Sequence, residues 1–181
     1  MNGQTSTSVA TGSVAHLALG SNVGQREHAV LCSVRAIEAS GAGRVKALSP
    51  LYETEPVDMP HARRFVNAVV EVETLLSPED LLQRVKSVEG DMGRTGGHLE
   101  PREIDVDIIA YGVSTMNTAD LTIPHARYAQ RAFVLFPLKD VAPGFRCPRT
   151  GATIDELVSS LAGLGGVVQI SNRGLVSPGA P

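Results

Sequence analysis

Positive charge is scarce in this chain of 181 residues: 16 lysines and arginines face 19 aspartates and glutamates, a formal net charge of −3. With no basic excess to neutralise a phosphate backbone, no nucleic-acid partner is expected. A local basic patch around an anionic small ligand stays open. Cysteine is nearly absent. Cys32 and Cys147 lie far apart, make no metal-ligand spacing and build no disulfide framework. Long apolar runs are missing as well; none approaches the roughly 18 residues of a membrane span, so no membrane partner is expected. Residues 1–12, MNGQTSTSVATG, have neither the basic nor the apolar region of a signal peptide and read as a disordered leader. The expected location is the cytoplasm. Neither a G-x-x-x-x-G-K-[ST] loop nor a G-x-G-x-x-G loop occurs, so any nucleotide is held without those phosphate cradles.

The chain does contain 43% hydrophobic residues, enough for one substantial core. Val14–Gly20 reads as a buried strand stopped by Gly20. After Gln25, the positions Ala29, Val30, Val34 and Ile37 fall at helical spacing, and Gly41 and Gly43 end that helix. Arg44–Pro56 reads as an edge strand, because Pro50 cannot donate to a central ladder. The alternating, valine-rich Phe65–Leu76 is a further strand. Ser77 then caps a helix with Pro78 at its first position, acidic residues in the first turn, and a stripe of Leu81, Leu82, Val85 and Val88. Glu103–Gly112 is the next strand and Ser114–Pro124 a hairpin or loop. Arg127–Pro143 reads as a helix bent before Pro137, and Ala152–Gly163 as a short amphipathic helix. The order predicts an α+β fold: a ferredoxin-like βαββαβ core with an antiparallel sheet, helices on its faces and C-terminal additions. Residues 13–165 are expected to form a single domain, and 166–181 a flexible tail.

The chemistry concentrates in EPREIDVDIIAYG, Glu100–Gly112. On a strand, residues i and i+2 share a face. Asp105 and Asp107 therefore project together, with Cβ atoms roughly 6–7 Å apart, while Ile104, Val106 and Ile108 point into a core. Two carboxylates on one face repel unless a cation sits between them. Mg²⁺ is the hard-cation answer, since it takes one or two carboxylates together with substrate phosphates. Taken alone, the Asp-x-Asp pattern also fits a solvated strand face, although aspartate is disfavoured in strands. Arg94 and Arg102 flank a glycine-containing loop, and Arg131 follows His125 by six residues. Arginine forks match phosphate oxygens. A carboxylate pair with several arginines fits metal-assisted phosphoryl transfer, whereas each arginine singly fits an ordinary surface charge.

Seven segments occur in order: LALGSNVG, SPLYETEP, FVNAVVEVET, EGDMGR, PREIDVDIIAYG, LTIPH and RAFVLFPL. Together, over roughly Val14–Pro143, they resemble the 6-hydroxymethyl-7,8-dihydropterin pyrophosphokinase family of folate biosynthesis. The resemblance implies the same ferredoxin-like fold, with residues 13–165 as a pterin- and ATP-binding catalytic domain. It implies transfer of diphosphate from ATP to the hydroxymethyl group of 6-hydroxymethyl-7,8-dihydropterin, with release of AMP. It also implies two Mg²⁺ ions held by Asp105 and Asp107, and Arg94 and Arg102 acting beside them. Gly20, Ser21, Asn22, Thr54, Pro56, Val57 and Asn67 are expected to line the pterin pocket. Asn67 suits an amide-like edge, because its own amide both donates and accepts. Phe65 and Phe133 would sandwich the flat ring. Glu89, Arg94, Arg102, His125 and Arg131 would face ATP, with Ile108 and Thr122 bordering the adenine. The protein would act as a monomer on these two small molecules.

The resemblance breaks where the family carries Trp-Gly before the Pro-Arg. Here Leu99 and Glu100 stand instead, and the chain has no tryptophan. Leu99 offers apolar cover with weaker stacking, Glu100 brings negative charge toward anionic phosphates, and His98 supplies positive charge when protonated. Ala126 is a second departure, since the family often has a longer side chain there. Two alternatives follow: a diverged relative that binds a pterin or nucleotide without turnover, or an enzyme acting on a modified pterin.

Overall fold

A computed structural model describes residues 12–56, 63–93, 103–161 and 166–171. The chain runs through β1 (Ser13–Ser21), α1 (Arg26–Ala39), β2 (Arg44–Leu48), β3 (Tyr52–Thr54), β4 (Phe65–Thr74), α2 (Pro78–Asp91) and β5 (Asp105–Tyr111). A small hairpin of β6 (Met116–Asn117) and β7 (Thr122–Ile123) follows, then a single 3₁₀ turn, α3 (Ala132–Val141), α4 (Ile154–Ser159) and β8 (Val167–Gln169). The main sheet has the order β5-β1-β4-β3-β8, with β2 also on β4, and its pairings among the described residues are antiparallel. This is the expected α+β, ferredoxin-like sheet.

Period-two alternation splits the sheet into two faces. Ala15, Leu17 and Leu19 of β1, Val66, Ala68, Val70 and Val72 of β4, and Ile104, Val106 and Ile108 at β5 form one core. The helix α1 buries Val30, Val34 and Ile37 against it, and α2 buries Leu81, Val85 and Val88. Ser77 caps α2 as expected, accepting the Asp80 N–H, and Pro78 opens the helix. The opposite face carries a second core, in which Val69, Ile109 and Ala110 meet Val134, Leu135 and Leu138 of α3 with Phe145, Cys147 and Ile154. Thr153 caps α4 in a reciprocal box with Glu156. Both cysteines are free. No described helix is long and apolar enough to cross a membrane.

The structure corrects the sequence reading in two places. Arg44–Pro56 is not one edge strand but two short ones, and β3 has a neighbour on each side, β4 and β8. Pro50 marks the break. Ser49 repairs the ladder there: its N–H donates to the Val69 carbonyl at 2.9 Å, and its Oγ accepts the Val69 N–H at 3.0 Å. The outer neighbour, β8, comes from Val167–Gln169, a segment assigned to the flexible tail. Its register with Tyr52–Thr54 is extended by Ile170 N–H to the Leu51 carbonyl and by Leu51 N–H to Ser171 Oγ. A run in which only Val167 and Val168 are consecutive strand formers is too short to read as a strand until its partner is known.

Two glycines beyond α1 differ in what they tolerate. Gly43 has φ +153°, and a Cβ there would lie 2.5 Å from the Glu73 carbonyl oxygen, whereas Gly41 at φ +78° has open space. Gly43→Ala is expected to cost roughly 2–3 kcal/mol and Gly41→Ala about 1 kcal/mol, read as urea midpoints. Equal losses would show that the Glu73 strand yields to the added methyl group.

Candidate active site

Register brings the chemically distinctive side chains into two rows across the face that α3 covers. One row runs Asp105, Gly20, Asn67, Tyr52; the next runs Asp107, Ala18, Val69. Asp105 and Asp107 are half-buried, while Val106 between them is 5% exposed and packs on the far core. The pair sits on β5 as the alternation predicts, both carboxylates on one face.

A guanidinium and an imidazole converge on Asp107. Arg131 Nη1 stands 3.6 Å and His125 Nε2 4.0 Å from Asp107 Oδ2. Both are ion-pair separations slightly beyond hydrogen-bond length. Arg131 occupies the N-cap position of α3, and its guanidinium lies 5.5 Å from the centre of the Phe133 ring. The segment after β7 returns His125 to β5, where its N–H donates to the Ile109 carbonyl at 2.9 Å. His125 Nδ1 accepts the Arg127 N–H at 3.2 Å, so the neutral ring carries its proton on Nε2, toward Asp107. Burial holds the His125 pKa below the ordinary imidazole value, against the pull of Asp107 and with the help of Arg131 and Arg127.

At the other end of the first row, Asn67 Nδ2 donates to Thr54 Oγ1 at 2.8 Å, and both residues are buried. Gly20 separates the two ends. A Cβ on Gly20 would meet Asn67 Oδ1 at 3.1 Å and Phe65 Cδ1 at 3.9 Å. With one strand between them, Asp105 and Asn67 have Cα atoms about 10 Å apart on ordinary sheet spacing. Gly20 thus leaves an open floor of one strand's width between the Asn67–Thr54 pair and the carboxylates.

Other residues named from the sequence are distributed more widely. Ser21 and Asn22 are buried, and alternation turns the Ser21 side chain away from the Gly20 face. Phe65, Pro56 and Phe133 are half-buried at its margin. Thr122 donates to Asn117 Oδ1 at 3.1 Å within the small hairpin. Glu89 is 4% exposed, and its Oε1 accepts the Val106 N–H at 2.7 Å, so this oxygen anchors the outer edge of β5. The Ile108 side chain lies in the far core and the residue is 3% exposed; its main chain runs along the same outer edge of β5 as that of Val106. Val57, Arg94, Arg102, Leu99 and Glu100 lie outside the described residues. Sequence reasoning missed Tyr52, which ends the Asp105 row, stacks on Phe136 and donates to Asp140 Oδ2 at 2.6 Å. Burial, then this hydrogen bond, raises its pKa and keeps the phenol neutral. Only the pairing register could have found it.

The model of the 7,8-dihydro-6-hydroxymethylpterin-pyrophosphokinase (HPPK) family matches residues 16–143. The chain belongs to the HPPK family. A 2-amino-4-hydroxy-6-hydroxymethyldihydropteridine pyrophosphokinase of Pseudomonas aeruginosa is 36% identical over 146 residues, covering 80% of this chain and 90% of that protein. The Bacillus subtilis protein of that name is 35% identical over 144 residues, 79% of this chain and 86% of its own. The mitochondrial folate synthesis bifunctional protein of Pisum sativum is 42% identical over 126 residues, which are 69% of this chain and 24% of that one. Among solved structures, Plasmodium falciparum HPPK-DHPS with pteroate has a TM-score of 0.68 at 16% identity, covering 82% of this chain and 44% of that chain. At that identity the likeness speaks for the HPPK fold alone, and this chain spans under half the length of that neighbour.

Within this HPPK-family sheet, Gly20→Ala is expected to displace the Asn67 amide and cost about 1 kcal/mol of stability. The loss should shrink in a Thr54→Val background, where the displaced hydrogen bond is already gone. Strict additivity of the two urea midpoint shifts would show that Asn67 does not move.

Proposed function

We propose that the protein transfers diphosphate from ATP to the hydroxymethyl group of 6-hydroxymethyl-7,8-dihydropterin, with Mg²⁺ as cofactor and AMP as the second product, in folate biosynthesis. The observation that carries this reading is the shared face of one sheet: paired carboxylates beside Arg131 and His125, and the Asn67–Thr54 pair one strand beyond Gly20. Family membership supplies the reaction class.

The donor set fits Mg²⁺. Among the described residues no three His, Cys, Asp or Glu side chains cluster as a metal cage. Two half-exposed carboxylates without a third protein ligand are what Mg²⁺ uses when a polyphosphate and water complete its shell. Asp105 and Asp107 would hold two ions, which neutralise the polyphosphate oxygens when bound. Diphosphate transfer with loss of AMP requires the pterin hydroxyl oxygen to attack the β-phosphorus as the bond to the α-phosphate oxygen breaks. In this reading Arg131 grips phosphate oxygens with its fork, and His125 presents the Nε2 proton beside Asp107. Arg94 and Arg102 complete the cationic side, and Glu89 acts by anchoring β5. Asn67 and Thr54 read the amide-like pterin edge, with Phe65 and Phe133 flanking the ring, Gly20, Asn22, Pro56 and Val57 forming the surrounding wall, and Ser21 contributing through its main chain alone. Thr122 and the main chain of Ile108 border the adenine. The described groups of the site, Asp105, Asp107, His125, Arg131, Asn67 and Thr54, all come from one chain, which supports a monomer, and both substrates are small soluble molecules, which supports a cytoplasmic location.

The test is AMP formation from ATP, Mg²⁺ and the pterin. Wild type should produce AMP, and Asp107→Ala should lower the rate by about 10³-fold or more. The variant should stay folded, since removing one of two like charges relieves repulsion on β5. Binding of both substrates without AMP formation would favour the diverged, non-catalytic relative, and near-native activity of Asp107→Ala would remove the metal assignment.

A further inference from the structure

Arg26 lies in the first turn of α1, on the side of the sheet away from the carboxylates, and has no place in the scheme above. Its Nη1 donates to the main-chain carbonyl of Arg64 at 2.7 Å, and its Nη2 pairs with Glu53 Oε1 at 2.9 Å. Glu53 is the middle residue of β3, so its side chain points opposite to those of Tyr52 and Thr54. Arg64 directly precedes Phe65, where the β3–β4 pairing ends at Thr54. On its other side β3 continues toward β8, where the Glu55 N–H donates to the Gly166 carbonyl at 3.2 Å. The Arg64 carbonyl therefore lies just past the end of a three-residue strand pairing, and Arg26 donates to it there.

The Arg64 side chain adds outer pairs to Glu53 and Glu55, but it and Glu55 are half-exposed, with side-chain accessibilities of 52% and 55%. Those pairs are screened by solvent. Arg26 and Glu53 are more enclosed, at 28% and 23%. The Arg26 hydrogen bond is also the largest influence holding the Glu53 carboxyl below the usual carboxylate range. The inner pair is therefore the one that fixes geometry.

We propose that Arg26 is a positioning residue for pterin binding: by tying α1 to Glu53 and to the Arg64 carbonyl, it sets from behind the sheet the corner that presents Thr54, Phe65 and Asn67. This rests on the pterin reading of that corner. Arg26 touches no substrate; it acts through the β3–β4 junction, some distance from Asp105 and Asp107. Its loss should be felt at the pterin and not at ATP.

The experiment is steady-state kinetics on the full chain with wild type, Arg26→Ala and Arg26→Lys. Arg26→Ala should raise KM for the pterin about tenfold, the loss of a charge-assisted bond, with kcat and KM for ATP changed less than about threefold. Lysine keeps a charge for Glu53 but cannot hold both partners, so Arg26→Lys should fall between wild type and alanine. If the alanine variant does not fold, the lysine variant must still raise the pterin KM selectively. An unchanged pterin KM overturns the proposal, as does an equal loss in all three parameters, the mark of a merely structural role. Wild type that neither turns over nor binds the pterin overturns the functional reading itself, and this proposal with it.

Discussion

Two negative charges on adjacent same-face positions of one strand are the constraint around which the molecule is arranged. Asp105 and Asp107 cannot relax their repulsion by turning away, because Ile104, Val106 and Ile108 fix the phase of β5 from the core side. A one-residue slip would bury both carboxylates and expose the isoleucines and valine. Burying an unpaired carboxylate costs several kcal/mol, so the register is strongly specified. Two further contacts pin the strand: Glu89 bonds the Val106 N–H, and His125 bonds the Ile109 carbonyl. The second of these also delivers the imidazole to Asp107.

The rest of the sheet follows from what must lie beside that pair. β1 contributes its smallest side chains to the site face, Ala18 and Gly20, where it passes between β5 and β4. On the other face it offers leucines to the core. The same alternation that packs the fold thus leaves a shallow floor between a charged end and an amide-bearing end. The helix α3 roofs part of this face with Val134, Leu135 and Leu138 and sets Arg131 at its N-cap, so core packing and placement of the guanidinium are one event.

Much of this was legible in the sequence. Alternation in Val14–Gly20, Phe65–Leu76 and Glu103–Gly112, with the Ser77-Pro78 start of α2, was enough for the element order and the fold. The aspartates announced themselves as charge in an apolar strand. What stayed hidden depended on partners distant in sequence. Pro50 read as the mark of an edge, but Ser49 satisfies both main-chain groups of Val69 beside it and β8 covers β3. Glu89 was placed on the ATP side by resemblance, and nothing in its sequence neighbourhood hints that a β5 N–H lies against it. The Ile108 side chain falls on the wrong face by the period-two rule, which leaves only its main chain for a nucleotide. Arg26 belongs to no short motif; its partners are 27 and 38 positions away by the numbering of Glu53 and Arg64.

Metal binding tests the carboxylate pair most directly. Manganese stands in for magnesium, and its uptake by the full chain is counted by electron paramagnetic resonance in the presence of a non-hydrolysable ATP analogue. Wild type should bind two ions per chain, and the Asp105→Asn, Asp107→Asn double variant should lose them while remaining folded, because octahedral sites on substrate phosphates need the charged oxygens. Equal manganese uptake by the two proteins would contradict the assignment of these aspartates as the metal-holding pair.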